Sequence, residues 1–430
     1  MGLEKRLKKL RLAKGLTQKE LAEPHYTHAY VSTIEAGRRQ PSRSALEHFA
    51  DRLGVDVEEL RTGRPPDLEA KLDLALHEAR QDTSAGRYDE AETKLKQIAK
   101  DSRRYELYRL EARARYASGL VLERRGRLQE AIEVYEEAEG MLEGAPLITS
   151  VDPLAGRARC LQMLGETRYG IHLLESRVDL LHRQKLTDPA ALVRLWSSLA
   201  FLYMASGLYG RASEAAAQAL QLAPRVRDHE QLANMHMNVA RVLLAEGRIA
   251  DAEESLKRAE EMYRSLDFLN ELGAAHIARG IVLSRRGDLD DARRELELAL
   301  EVFDEAPSRL DHARALNELG RVERLAGDVE TARTLLRRSI DLLQDTDVGE
   351  LGLAHRELAL CEAEDNPSKA ESELKKAITL FEKADETVEL AATYRALGDL
   401  MELRGEESKR CDAYRTGILA IEERLQGPVG

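Results

Sequence analysis

The chain has 430 residues, of which 43% are hydrophobic but only 4% aromatic, and its formal net charge is −12. That length exceeds one ordinary core and implies several domains or a repeat array. With so few rings, the core must be built from Ala and Leu, which suits helix-on-helix packing and excludes an aromatic-rich sheet.

Charge is unevenly placed. Residues 1–65 hold 13 Lys and Arg against 9 Asp and Glu, a net +4, while the rest holds 52 against 68, a net −16. A basic head on an acidic body fits a DNA-binding module carried by a domain that repels DNA elsewhere. Cys160, Cys361 and Cys411 are too far apart for a disulfide framework or a zinc site and read as small buried hydrophobes. The N-terminus carries Glu4, Lys5 and Arg6 without an apolar signal region, and no run approaches the ~18 apolar residues of a membrane span. The expectation is a cytoplasmic protein with no membrane partner.

The first helix is predicted over Leu3–Lys14, with Leu3, Leu7 and Leu10 inward and Lys5, Lys8, Lys9 and Arg11 exposed. Thr17 and Glu20 form a capping box for a second helix anchored by Leu16 and Leu21. Pro24 stops it, because proline lacks the N–H a continuing helix needs. Thr27 caps a third helix that buries Val31 and Ile34 and turns His28, Ala29, Ser32 and Thr33 outward. A helix with a buried apolar seam and a short polar outer face can enter a major groove and bond base edges. Gly37 then ends it beside Arg38, Arg39 and Arg43, cations placed to meet flanking phosphates. Ser42 caps a fourth helix that turns Leu46, Phe49 and Leu53 inward, and Asp56 opens a fifth.

The runs Leu16-Thr17-Gln18-x-Glu20-Leu21-Ala22 and Tyr30-Val31-Ser32-x-Ile34-Glu35-x-Gly37-Arg38-Arg39-x-Pro41-Ser42 resemble the phage-repressor-like (XRE-type) helix-turn-helix family, as does Leu53–Leu60. The turn Glu23–Thr27 is one residue shorter than the usual pattern. The resemblance implies double-stranded DNA as a partner. Thr27, His28, Ala29, Ser32 and Thr33 would lie at the bases, with Gln18, Arg38, Arg39 and Arg43 on phosphates. Residues 1–62 are therefore expected to form a DNA-binding domain, 63–67 a proline-stiffened linker and 68–430 a second body.

That body is periodic. GRYDEA at Gly86 is followed by similar hexapeptides starting at Gly126, Gly165, Gly207, Gly247, Gly287, Gly327, Asp365 and Gly405, at intervals of 38 to 42 residues. Seven residues before and five after each start, eight of nine positions are small. Small residues at fixed places let two helices approach, and the glycine between them makes the turn. The unit resembles the tetratricopeptide repeat, lengthened by about a turn. The expected fold is all-α, a five-helix head followed by a solenoid of about nine helix pairs. The last unit, with Arg410 in place of a small residue, reads as a cap or oligomerisation surface that includes Cys411 and Tyr414.

First helices of such units line a groove. The positions thirteen, ten and six before each turn supply Arg159, Arg194, Asn234, Met237, Arg241, Arg314, Asn317 and Arg321 as candidate ligand contacts. Asparagine pairs with peptide backbone through both donor and acceptor, and arginine forks onto a carboxylate. No phosphate loop, HExxH, GxSxG or GxGxxG motif occurs. An enzyme, a metal site and a cofactor are not expected.

A repressor-type head on a long repeat body resembles the peptide-responsive (RRNPP-type) transcription regulators. The resemblance implies a homodimer on DNA gated by a peptide or protein ligand in the groove. Two other readings stay open. One is an interaction scaffold whose head only dimerises or tethers, and the other is a regulator of some enzyme through the repeats alone.

Overall fold

The computed structural model describes residues 2–306, 308–343, 347–384 and 386–426, and among them there are helices but no strand. Two compact units divide the chain: Met1–Arg80 with Tyr88–Gly156, and Gln81–Arg87 with Arg157–Gly430.

The first unit opens with five short helices, α1 (Leu3–Ala13), α2 (Gln18–Ala22), α3 (His28–Glu35), α4 (Arg43–Leu53) and α5 (Val57–Thr62). Their start points are set by side-chain caps. Thr17 Oγ1 accepts from Glu20 N at 3.2 Å while the Glu20 carboxylate accepts from Thr17 N at 2.7 Å, completing the capping box. Thr27, Ser42 and Asp56 cap α3, α4 and α5 through Tyr30, Ala45 and Glu58 amides. Leu7, Leu21, Val31, Ile34, Phe49, Leu53 and Leu60 form the core, with Leu3, Leu10 and Leu16 at its edge.

Arg11 departs from the expected exposed face. Its guanidinium is buried, forked onto both carboxylate oxygens of Glu35 at 2.6 and 2.9 Å and donating to Leu16 O at 2.8 Å. The helical wheel of α1 places Arg11 near the apolar seam, and a carboxylate on α3 waits there to neutralise it. Between α5 and the next helix, Arg64 Nε donates to Tyr105 O at 2.9 Å, tying the proline-containing connection to the first repeats.

Among the described residues nine helix pairs follow in the chain. They begin with α6 (Leu68–Ser84) and α7 (Tyr88–Arg104), α8 (Tyr108–Arg124) and α9 (Leu128–Gly140), α10 (Val151–Met163) and α11 (Thr167–Arg183). Next come α12 (Pro189–Ala205) and α13 (Tyr209–Leu222), α14 (His229–Ala245) and α15 (Ile249–Leu266), α16 (Leu269–Arg286) and α17 (Leu289–Glu305). The last are α18 (Arg309–Ala326) and α19 (Val329–Leu343), α20 (Val348–Glu362) and α21 (Pro367–Ala384), α22 (Thr387–Leu403) and α23 (Glu407–Gln426).

The glycines of the repeated hexapeptide sit at the pair turns with positive φ, for example 97° at Gly287 and 90° at Gly327, a conformation that side chains bearing a Cβ resist. The small columns make the pairs close. A Cβ on Gly280 would lie 2.6 Å from Leu296 Cγ, and one on Gly320 would lie 2.8 Å from Leu336 Cγ. In the second unit, first helices also touch first helices, α12 with α14, α16 with α18, α18 with α20 and α20 with α22. Segment 81–87 belongs with that unit, since Gln81 Nε2 donates to Leu266 O at 3.1 Å and Ser84 bonds Glu271 and Asn270 N.

Of the cysteines, Cys160 and Cys361 are buried as expected, whereas Cys411 is exposed. It lies on α23. Ile418, Leu419 and Ile421 are exposed on the same helix. Arg410 folds back onto Glu402 and Glu407 at 3.0 and 3.2 Å.

Candidate nucleic-acid interface and ligand groove

In α3, Val31 and Ile34 face the head core while His28, Ala29 and Ser32 are exposed, as is Thr27 at the cap. Thr33 is half-buried, and its hydroxyl donates to Tyr30 O at 2.8 Å. Gln18 at the start of α2 donates through Nε2 to Glu35 at 2.9 Å, so one arm of its amide braces α2 against α3. Burial would raise the Glu35 pKa, but hydrogen bonds from Arg11 and Gln18 outweigh it and hold the carboxyl below its usual range. This buried triad fixes the angle between the two helices.

Arg38 and Arg39 follow the C-terminus of α3 and are exposed. Arg39 lies 4.9 Å above the Tyr30 ring, which stacks on Tyr26 at 5.3 Å, with Phe49 behind at 5.6 Å. In a chain so poor in rings, this stack presents one cation beside the outward face of α3. Arg43 pairs with Glu47 one turn on, at the solvent-exposed start of α4.

The groove candidates divide into three groups. Asn234, Met237 and Arg241 lie along α14. Asn234 Oδ1 accepts from Tyr263 Oη at 3.0 Å, and Met237 packs on the cluster of Ala233, Tyr263 and Phe268. Arg241 sits over the Phe201 ring at 5.3 Å and has no carboxylate partner among the described residues. The residue is exposed, yet protein crowds its guanidinium; desolvation, with repulsion from Arg314, outweighs the opposing Tyr263 and lowers its pKa. Such a combination belongs to a concave surface.

On α18, Arg314 is paired with Glu350 at 2.8 Å and Asp311 at 3.3 Å. Asn317 Nδ2 donates to Glu350 O and Oε2 at 3.1 and 3.2 Å, leaving its buried Oδ1 without a hydrogen bond. Arg321 forks onto Glu318 at 2.6 and 2.9 Å. Arg159 on α10 and Arg194 on α12 are half-buried on their first helices.

Asn317 and Arg321 line a cavity of about 470 Å³ walled by α16, α18, α20 and α22, all first helices of their pairs. Its floor carries Ile281, Leu353 and Leu360. Arg324 and Arg356 there pair with Glu357 and Glu389. Arg285 and Arg395 also line it, exposed and without an ion pair or hydrogen bond among the described residues. Neither was among the sequence candidates. Arg395 stands ten residues before Gly405, so the same column applied to the ninth unit finds it. Arg285 lies outside the columns.

Comparisons with known proteins agree with this architecture. Residues 5–62 match the helix-turn-helix domain family, and residues 78–146, 192–265 and 271–345 match tetratricopeptide repeats. The chain belongs to the helix-turn-helix transcriptional regulators, and it is a regulator rather than an enzyme. The HTH-type transcriptional regulator y4dJ of Sinorhizobium fredii is 44% identical over 55 residues, which is 13% of this chain and 71% of that relative.

Among solved structures, the apo form of the quorum sensor NprR from B. thuringiensis superposes with a TM-score of 0.55 at 16% identity, covering 83% of this chain and all of that one. Aspartyl phosphate phosphatase F from Bacillus subtilis gives 0.53 at 14% identity over 84% of this chain and 96% of its own. At such identities the likeness establishes a shared fold. No helix among the described residues is long and apolar enough to cross a membrane.

Proposed function

We propose that this regulator binds operator DNA as a homodimer and that a short peptide in the repeat groove sets its activity. His28, Ala29 and Ser32 are assigned to base edges, and Arg38, Arg39 and Arg43 to phosphates. A lone head spans only a half-site, and modules of this kind act as symmetric pairs about one helical turn apart. The exposed Ile418, Leu419 and Ile421 on α23 supply an apolar surface on which two copies can meet. Such a protein works in the cytoplasm with its DNA.

The observation that carries ligand control is Arg241, an exposed residue whose guanidinium is desolvated, stacks on Phe201 and has no carboxylate partner among the described residues. An acidic side chain or a free C-terminal carboxylate would neutralise it, and Asn234, two turns earlier on α14, offers its amide N–H groups to a peptide carbonyl. The quorum-sensing neighbour of the same fold supports this reading. A ligand bridging several first helices can shift the protein only through its differential affinity for two arrangements of the repeats.

The test has two stages. Fluorescence anisotropy with DNA from around the chain's own gene should show binding that falls steeply with salt, because phosphate contacts release counterions. A scaffold whose head merely tethers would show no such slope. A library of heptapeptides with free C-termini, screened by thermal shift, should then yield binders that alter DNA affinity in the wild type. If no peptide that stabilises the protein changes its DNA affinity, ligand gating is wrong.

A further inference from the structure

We propose that a second cavity, on the side of α12 flanked by α11 and α13, is a binding site for a small organic cation: a guanidinium or primary amine on a short apolar body. The proposal is independent of the groove and DNA assignments. The cavity, open to solvent on one side, has a volume of about 600 Å³, within the range that holds small ligands. Val178, Leu199 and Ala215 give it an apolar lining.

Its charge is one-sided. Among the carboxylates and guanidinium groups that line it, Glu175, Asp179 and Glu214 face Arg211 alone. Glu175 is already engaged, accepting from Tyr203 Oη at 2.6 Å and from Arg211 at 2.5 Å. Arg211 at the same time lies 4.4 Å above the Tyr203 ring. One corner of the cavity is thus a complete cation site of carboxylate, aromatic face and guanidinium, occupied by the chain's own arginine.

The remaining part repeats the same components without the cation. Asp179 from α11 and Glu214 from α13 are exposed and make no ion pair or hydrogen bond among the described residues. Trp196 from α12 is half-buried in the same lining and has no ring contact and no cation over it among those residues. Tryptophan is the best aromatic acceptor for a cation, and the carboxylates from α11 and α13 supply opposite charge in the same cavity. An anionic or neutral ligand would leave both carboxylates facing it unpaired.

Trp196 is the only tryptophan in the sequence, so it reports on this site alone. Agmatine, titrated into the full chain, should give a saturable change in tryptophan fluorescence, and the neutral n-butylurea should give none. Asp179→Asn with Glu214→Gln, both exposed and so harmless to folding, should weaken agmatine roughly tenfold or more. Calorimetry on Trp196→Leu, with circular dichroism to check helix content, should show a comparable loss. A blocked arginine, N-acetyl-arginine amide, distinguishes the sources: binding as tight as agmatine's would mean that the cation is a residue of a partner chain and would overturn the small-molecule assignment. No saturation by about 10 mM agmatine, or an unchanged affinity in the double variant, would overturn the site itself.

Discussion

Arg11 on α1 and Glu35 at the end of α3 form a bidentate ion pair at 2.6 and 2.9 Å, with side chains only 9% and 4% exposed. Such a pair is costly to break from one side, because the surviving charge stays buried. Glu35→Gln should therefore lower the protection of α3 amides against hydrogen exchange by about 3 kcal/mol, and Arg11→Met with Glu35→Leu should recover much of it. Equal protection in wild type and Glu35→Gln would show that the pair does not hold α3.

The contacts proposed between the head and DNA are of two kinds. Arg38→Ala should weaken binding to every sequence alike and flatten the salt slope by about one. Ser32→Ala or His28→Ala should instead change which operator is preferred. Thr33, with its hydroxyl engaged by Tyr30 O, should matter less than Ser32. A changed preference with an intact salt slope in Arg38→Ala would exchange these roles.

In the groove, Arg241→Ala should weaken a stabilising peptide roughly tenfold to a hundredfold, the effect of one lost charge-assisted bond of about 1.5–3 kcal/mol. Ligand-free DNA affinity should stay unchanged. Asn234→Ala should add a smaller stability loss of about 1 kcal/mol, since it strips the Tyr263 hydroxyl of its acceptor. Isothermal titration of both variants measures this, and an unaltered affinity in Arg241→Ala would place the ligand elsewhere.

The repeat packing predicts opposite outcomes for two helical glycines. Gly320→Ala drives a methyl to within 2.8 Å of Leu336 and should cost about 1–3 kcal/mol. Gly210→Ala, in α13, meets nothing within 4 Å and should stabilise by up to about 1 kcal/mol through helix propensity. Urea midpoints of the two variants should move in opposite directions.

His236 is buried on α14 with Arg258 nearby, and burial first, then that cation, lowers its pKa from 6.5 to about 4. The unfolded chain takes up this proton near pH 6.5 and the folded chain only near 4. Stability is therefore lost as pH falls between those values, by at most about 3 kcal/mol. His236→Gln should flatten this part of the stability–pH curve relative to wild type, and identical curves would rule out the assignment.

Much of this protein was legible in the sequence because its signals are local. Caps at Thr17, Thr27, Ser42 and Asp56 act within three residues, and the glycine turns with their flanking small columns act within a single helix pair. Period and order were therefore enough to place five head helices and nine pairs. Which charges face each other was decided by the tertiary structure. Arg11 looked like one more exposed cation of α1 until Glu35, 24 residues away, came to lie against it. Arg314 and Asn317 were read as free groove contacts, yet Glu350 from the next pair, 36 and 33 residues on, engages both. Arg241 alone on its helix kept its charge unmatched. Long side chains find partners on neighbouring helices whose rotation a repeat pattern leaves open, so the sequence determined where the helices are and the packing determined which of their cations remain to meet a ligand.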